Sequence, residues 1–163
     1  EWWEAPAGEA RDMTDLVYFE GVSVGDHIEL GAREVPREEI VEFGRRWDPQ
    51  PIHTDEAAAA DSEWGGLIAS GWHVAAVTMR LLVDGFLDEA ATMGALGVDE
   101  LRWRSPVRPG DELAATVEVV DTEPWEPRPE QGVVRARLVA ENQREETVLT
   151  MVGLVLFERR QES

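Results

Sequence analysis

Ser70-Gly71-Trp72-His73-Val74-Ala75-Ala76-Val77-Thr78-Met79-Arg80-Leu81-Leu82-Val83-Asp84-Gly85-Phe86-Leu87-Asp88 lies in the most apolar part of the chain. Its apolar residues (Val74, Ala75, Val77, Met79, Leu81, Leu82, Val83, Phe86) fall on nearly every side of a 3.6-residue helix. Such a helix must be surrounded by other structure, not laid on a surface. Arg80 and Asp84 interrupt it, so it falls short of a membrane span. Four positions apart, those two are placed to pair with each other or across an interface. Downstream, 94–104, 111–122, 133–142 and 147–158 read as strands, with turns at Pro109-Gly110 and over 124–132. One buried helix wrapped by an antiparallel sheet is an α+β layout.

Upstream, Gly25-Asp26 is a turn and His27-Ile28-Glu29-Leu30 alternates like a half-buried strand. Pro36 suits the first position of a helix, and Glu38 and Glu39 suit its first turn. Ile40, Val41, Phe43 and Trp47 would give that helix an apolar stripe facing the core. Asp48-Pro49-Gln50-Pro51 ends it, and the two prolines predict a rigid non-helical loop. Thr54 or Asp55 is placed to cap a short helix over 56–61, and 62–69 reads as loop. Residues 1–17 carry no periodicity and read as a weakly ordered tail on which Trp2 and Trp3 could dock. Residues 18–160 read as one domain.

With 163 residues the chain can bury a sizeable core. It has no cysteine, which removes disulfides, a thiolate nucleophile and a cysteine zinc site. His27, His53 and His73 are widely spaced and predict no metal centre. A net charge of −19 argues against nucleic acid and anionic membranes as partners. All 15 basic residues are arginine against 34 acidic ones, a balance that suits either a GC-rich genome or a high-salt cytoplasm. The acidic N-terminus lacks the apolar segment of a signal peptide, so a soluble cytoplasmic protein is expected.

The chemistry concentrates in 48–71. Asp48 and His53 project from one stiffened bend, an acid and an imidazole five positions apart, as two groups sharing a water molecule require. Alone, Asp-Pro is a turn opener and a loop histidine is polar surface. Here a glycine turn (Gly65, Gly66) and the apolar helix follow. Gly71 stands at the helix entry, where free N–H groups can receive developing negative charge. Gly65 and Gly66 are read as turn formers.

Asp48-Pro49-Gln50-Pro51-Ile52-His53-Thr54-Asp55, with the 18-residue interval from His53 to Gly71, resembles the loop of the MaoC-like dehydratases, whose pattern is Asp-x-Asn-Pro-aliphatic-His-x-Asp. The resemblance covers roughly residues 18–158 and implies a hotdog fold, a homodimer or higher assembly, and (R)-specific hydration of a trans-2-enoyl-CoA or the reverse dehydration. It implies Asp48 as base, His53 as the partner that orients and shuttles the proton, and Gly71 N–H as the site for the thioester oxygen. No cofactor is implied beyond the coenzyme A of the substrate. Gln50 replaces the usual asparagine of the loop and keeps an amide to hold it; Ile52 is the aliphatic position. Met79 stands where the family places a serine, so that hydroxyl is absent or supplied by Thr78.

Trp47, Trp64 and Trp72 lie beside these motifs as core filler, or, for Trp72 with Met79, as walls of an acyl pocket. Arg102 and Arg104 share one strand face. With Arg108 they are either ion-pair partners or a landing site for coenzyme A phosphates, with Arg104 and Arg108 as its leading members. His73 is expected buried or at an interface, and His27 at the surface. Two other activities fit a hotdog chain: an acyl-CoA thioesterase, and a non-catalytic subunit that binds acyl-CoA.

Overall fold

The structure is a computed structural model and describes residues 16–160; Trp2, Trp3 and most of the expected tail lie outside the described residues. Its centre is one antiparallel sheet of five strands: β1 (His27–Glu34), β2 (Thr92–Trp103), β3 (Glu112–Pro124), β4 (Gln131–Glu141) and β5 (Thr147–Glu158). Their spatial order is β1-β3-β4-β5-β2, so β1 and β2 are the edges. Val117 stands opposite Leu138, and Leu138 opposite Met151, which carries one apolar row across three strands. Leu113, Ala115, Ala136, Ala140 and Leu149 extend that inner face, and Val74, Val77, Leu81 and Leu82 of the central helix α4 (Gly71–Gly85) pack on it. The alanines of β3 and β4 leave room for the helix to approach. Burying side chains of this kind contributes roughly 1.5–3 kcal/mol each.

Before α4 come three shorter helices: α1 (Arg37–Trp47), α2 (Pro51–Thr54) and α3 (Glu56–Ala60). Pro36 precedes α1 as its cap, and Asp48 closes it. Ile40 and Val41 are buried as expected, but Trp47 is 66 % exposed. Its ring takes the Arg46 guanidinium at 5.3 Å instead of joining the core; such contacts suit an indole on the solvent side. The stretch after Asp48 is not purely extended either. Pro51 opens α2, where its missing N–H is an orphan in any helix and its fixed φ is helical already, so this proline starts a turn that the sequence reading had it prevent. Asp55 caps α3 by accepting from the N–H of Ala58 at 3.0 Å.

The central helix departs from expectation in two ways. It stops at Gly85, and a 3-10 turn (Leu87–Glu89) follows. It is also not surrounded by its own chain: Trp72 is 60 % and Met79 44 % exposed. Alongside, the edge strand β2 exposes Met93, Leu96, Val98 and Trp103. A groove of about 350 Å³ runs between them, lined by Met79, Val83, Val98 and Met151 among others. At the other end of the sheet Val22, Val119, Val134 and Phe157 form a smaller core that Val17 and Phe19 join. Val17 already bridges Ala90, so the folded body begins inside the segment read as tail.

Candidate active site

Asp48 and His53 meet because α1 and α2 pack at an unusually short distance. A Cβ at Gly44 of α1 would lie 2.9 Å from His53 Cβ and 3.1 Å from its carbonyl oxygen. Glycine there lets the turn carrying His53 fold back beneath the helix end carrying Asp48. Local backbone bonds fix that turn: Asp48 donates to Gly44 O at 2.9 Å, and His53 N to Gln50 O at 3.0 Å. Ile52, half-buried, accepts from Ile68 N at 3.1 Å through its carbonyl, tying the turn to the segment that leads into α4.

His53 Nε2 stands 3.2 Å from Asp48 Oδ2, and the ring is almost fully buried. Its Nδ1 is 2.7 Å from the carbonyl oxygen of Ile68. A carbonyl can only accept, so Nδ1 carries the proton and Nε2 is the atom offered to Asp48. In the neutral ring Nε2 and Oδ2 are both acceptors. Either a proton lies between them, or both take hydrogens from one water molecule. The carboxylate is held as firmly: Gln50 Nε2 donates to Oδ1 at 2.8 Å and Ser70 Oγ to Oδ2 at 2.7 Å. These two bonds, Gln50 first, outweigh burial and hold the Asp48 carboxyl below its ordinary value, with His53 adding to the effect. Asp48 is therefore ionised well into acid conditions.

Gly71 opens α4, and its N–H has no partner within the helix. The Trp103 indole packs on its Cα: Nε1 donates to Gly71 O at 2.7 Å, and an added Cβ would come within 2.7 Å of the ring's Cδ2. His53, Gly71, Trp64, Val74, Trp103 and Arg104 line one cavity of about 240 Å³. Of the pair, His53 lines this cavity while Asp48 stands behind it, and the entry of α4 borders the same space, so an imidazole and a free helix N–H face one volume. Among the described residues no three His, Asp or Glu side chains group as a metal ion would require.

Other expected residues fall elsewhere. Thr78 is fully buried and donates to Val74 O at 2.9 Å, so its hydroxyl is spent on its own helix. Met79 lines the α4–β2 groove, and Trp72 meets Trp103 edge-on at 5.2 Å. Trp64 and Trp72, like Trp47, are exposed and are not core filler. Arg104 reaches the cavity, but Arg108 donates to the Trp64 carbonyl and so holds the Trp64–Gly66 turn, apart from Arg102 and Arg104. Arg80 and Asp84 pair at 2.7 Å, and His73 is buried. Sequence reasoning missed Ser70, Gly44 and Trp103. Ser70 stands where a helix cap would, yet caps nothing; its hydroxyl is turned to Asp48.

A family model described as MaoC like domain matches residues 20–142. The chain belongs to the MaoC-like family. This MaoC-like chain is similar to the MaoC-like dehydratase from Rhodospirillum rubrum, with TM-score 0.82 and 40 % identity over 90 % of this chain and 99 % of that one. It is 32 % identical over 111 residues to the 3-hydroxybutyryl-CoA dehydratase of Methylorubrum extorquens, covering 67 % of this chain and 68 % of that protein. An uncharacterized Bacillus subtilis protein, YdeM, is 31 % identical over 84 % of this chain and 96 % of its own. The fold is the hotdog of the (R)-hydratases, and the family supports a hydratase or dehydratase activity. No helix of the described residues is long and apolar enough to cross a membrane.

Proposed function

We propose that this MaoC-like chain is an (R)-specific 2-enoyl-CoA hydratase and 3-hydroxyacyl-CoA dehydratase that works with the Asp48–His53 pair. The observation that carries the reading is the tethering of both members: Asp48 ionised between Gln50 and Ser70, and His53 fixed by Ile68 so that Nε2 faces it. A water that donates to Nε2 and Oδ2 turns its lone pairs outward, toward C3 of a trans-2-enoyl thioester. As the water oxygen bonds to C3, Asp48 takes one of its protons and the C2=C3 electrons move onto the thioester oxygen. That oxygen sits against Gly71 N–H, which stabilises the charge. Return of a proton to C2, with His53 as shuttle, completes addition of H and OH across the double bond. No cofactor other than the substrate's coenzyme A takes part.

The acyl tail runs beside Met79 into the α4–β2 groove, whose lining does not include Trp72. The apolar face left open by α4 and β2 is also the surface on which a second copy pairs, since an exposed apolar edge strand is a template for association. Light scattering should give about twice the chain mass of 18.2 kDa; a monomer at micromolar concentration would remove the pairing. The activity is tested by incubation with crotonyl-CoA while the enoyl thioester absorbance is followed. Loss of absorbance with 3-hydroxybutyryl-CoA as product is the expected result. Persistence of the enoyl signal across a chain-length series from four to twelve carbons would defeat the hydratase reading.

A further inference from the structure

A second cavity, of about 330 Å³, opens on the face of the sheet away from α4 and is lined by Glu100, Arg102, Arg104, Arg137 and Thr150. Three guanidinium groups meet there in a chain of net charge −19. The contrast with Arg135, two residues along the same strand face, is direct. Arg135 has Asp99 at 3.3 Å and Asp121 and Glu123 at 3.9 Å, an ion-pair cluster that uses its charge. Arg102, by contrast, donates to the carbonyl of Leu101 and Arg104 to the hydroxyl of Thr150; no carboxylate among the described residues is within 4 Å of either. Arg137 reaches Glu118 at 3.8 Å, with both side chains about half exposed. Glu100 is the one carboxylate on the wall.

The backbone is shaped to bring these side chains together. Arg102 pairs with Thr150 and Arg137 with Val152, so the two arginines stand on the same face two strands and two residues apart, ~12 Å at ordinary strand geometry. Between Asp99 and Arg102 the β2–β5 register slips, and Glu100 takes a φ of +54°, a conformation uncommon outside glycine. A bulge of this kind re-aims the residues after it. Arg104 completes the connection, because it lines both this cavity and the one holding His53 and Gly71. A chain leaving the dyad over the end of β2 therefore emerges between Arg104 and Arg102.

We propose that Arg102, Arg104 and Arg137 form a subsite for the phosphate ester that ends the pantetheine arm of the thioester substrate. The inference rests on the thioester reading above. Guanidinium groups suit phosphate through paired N–H donors. Among the described residues Arg102 and Arg104 have no carboxylate within 4 Å to occupy theirs, while Arg137 has only Glu118 at 3.8 Å. The same phosphate ends the arm in coenzyme A and in an acyl carrier protein.

Titration of the full chain with 4′-phosphopantetheine tests the shared chemistry. The double variant Arg102→Ala/Arg137→Ala should bind it at least tenfold more weakly, while Arg135→Ala on the same face should shift binding less than twofold. In turnover, the KM for crotonyl-CoA relative to that for crotonyl-pantetheine, which has no phosphate, should rise about tenfold in the double variant. If adenosine 3′,5′-bisphosphate also binds through these arginines, coenzyme A is the carrier. If it does not, while crotonyl carrier protein shows the KM rise, the carrier is the protein. Equal 4′-phosphopantetheine affinity in wild type and double variant overturns the subsite. Arginine-dependent binding without turnover of any enoyl thioester leaves the subsite standing and removes the hydratase reading.

Discussion

Two histidine–carboxylate pairs occur among the described residues, and they differ in the hydrogen bonds behind them. Asp48 and His53 stand 3.2 Å apart, and every remaining polar atom of the pair has a named partner: Gln50 and Ser70 on the carboxylate, Ile68 on the ring. Glu39 and His73 stand 3.7 Å apart, with His73 as deeply buried as His53. Yet Glu39 Oε2 and His73 Nδ1 are buried without hydrogen-bond partners, while Arg33 takes the other oxygen of Glu39. His73 stacks flat on Phe43, with centroids 4.9 Å apart, and behaves as an aromatic core residue. Proximity of an acid to an imidazole thus makes no catalyst. The hydrogen bonds behind each group, which decide the charge of one and the tautomer of the other, make the difference.

That comparison breaks most visibly in paired substitutions. Asp48→Asn should lower kcat for enoyl-CoA hydration on the order of a thousandfold, within the range of a lost general base, whereas Glu39→Gln should change it less than threefold. Equal losses in the two variants would mean that the pairs work together. A smaller effect follows from Ser70→Ala, which removes one of the two bonds holding the Asp48 charge. The rate should fall on the order of tenfold, as for a hydrogen bond to a charged group. The acid limb of the pH–rate profile should also move up toward the ordinary carboxylate value. The sign agrees with stability: a depressed carboxyl stabilises the fold above its ordinary value of 3.8 and loses that contribution as pH falls through its lower folded value, so the variant should lose it over a narrower window. An unmoved limb would detach Ser70 from Asp48.

The smallest effect belongs to the second pair. Burial pushes the His73 imidazole below its ordinary 6.5, opposed by Glu39 and reinforced by Arg33 and His53. With a folded value below the unfolded one, the unfolded chain binds more protons below pH 6.5, and stability drops there. Chemical denaturation at pH 7.5 and pH 5.5 should show that drop in wild type and less of it in His73→Phe. An identical drop in both would place the proton uptake elsewhere.

Much of this was legible in the chain, for physical reasons. The apolar run from Val74 announced a helix packed on a sheet, and the loop over 48–53 announced an acid and an imidazole side by side. Arg102 and Arg104 shared a face because strand side chains repeat every two residues. Other features depended on contacts between distant segments, which no local pattern carries. Ser70 was passed over because its hydroxyl meets Asp48, 22 positions away. Arg108 parts from its neighbours because Trp64, 44 positions upstream, offers it a carbonyl. Trp72 and Met79 look like core because composition records apolarity and does not record which side the chain itself leaves open.

The Trp103 indole seated on Gly71 has an evolutionary consequence. Any side chain at position 71 would collide with that ring, so glycine is demanded there by packing whether or not its N–H ever meets a thioester. A descendant that had given up chemistry would keep this glycine and mutate freely at Gln50 and Ser70. Among diverged copies of this chain, a surviving glycine at the helix entry is a record of a tryptophan neighbour, and the amide and hydroxyl around the carboxylate are the better witnesses to an enzyme.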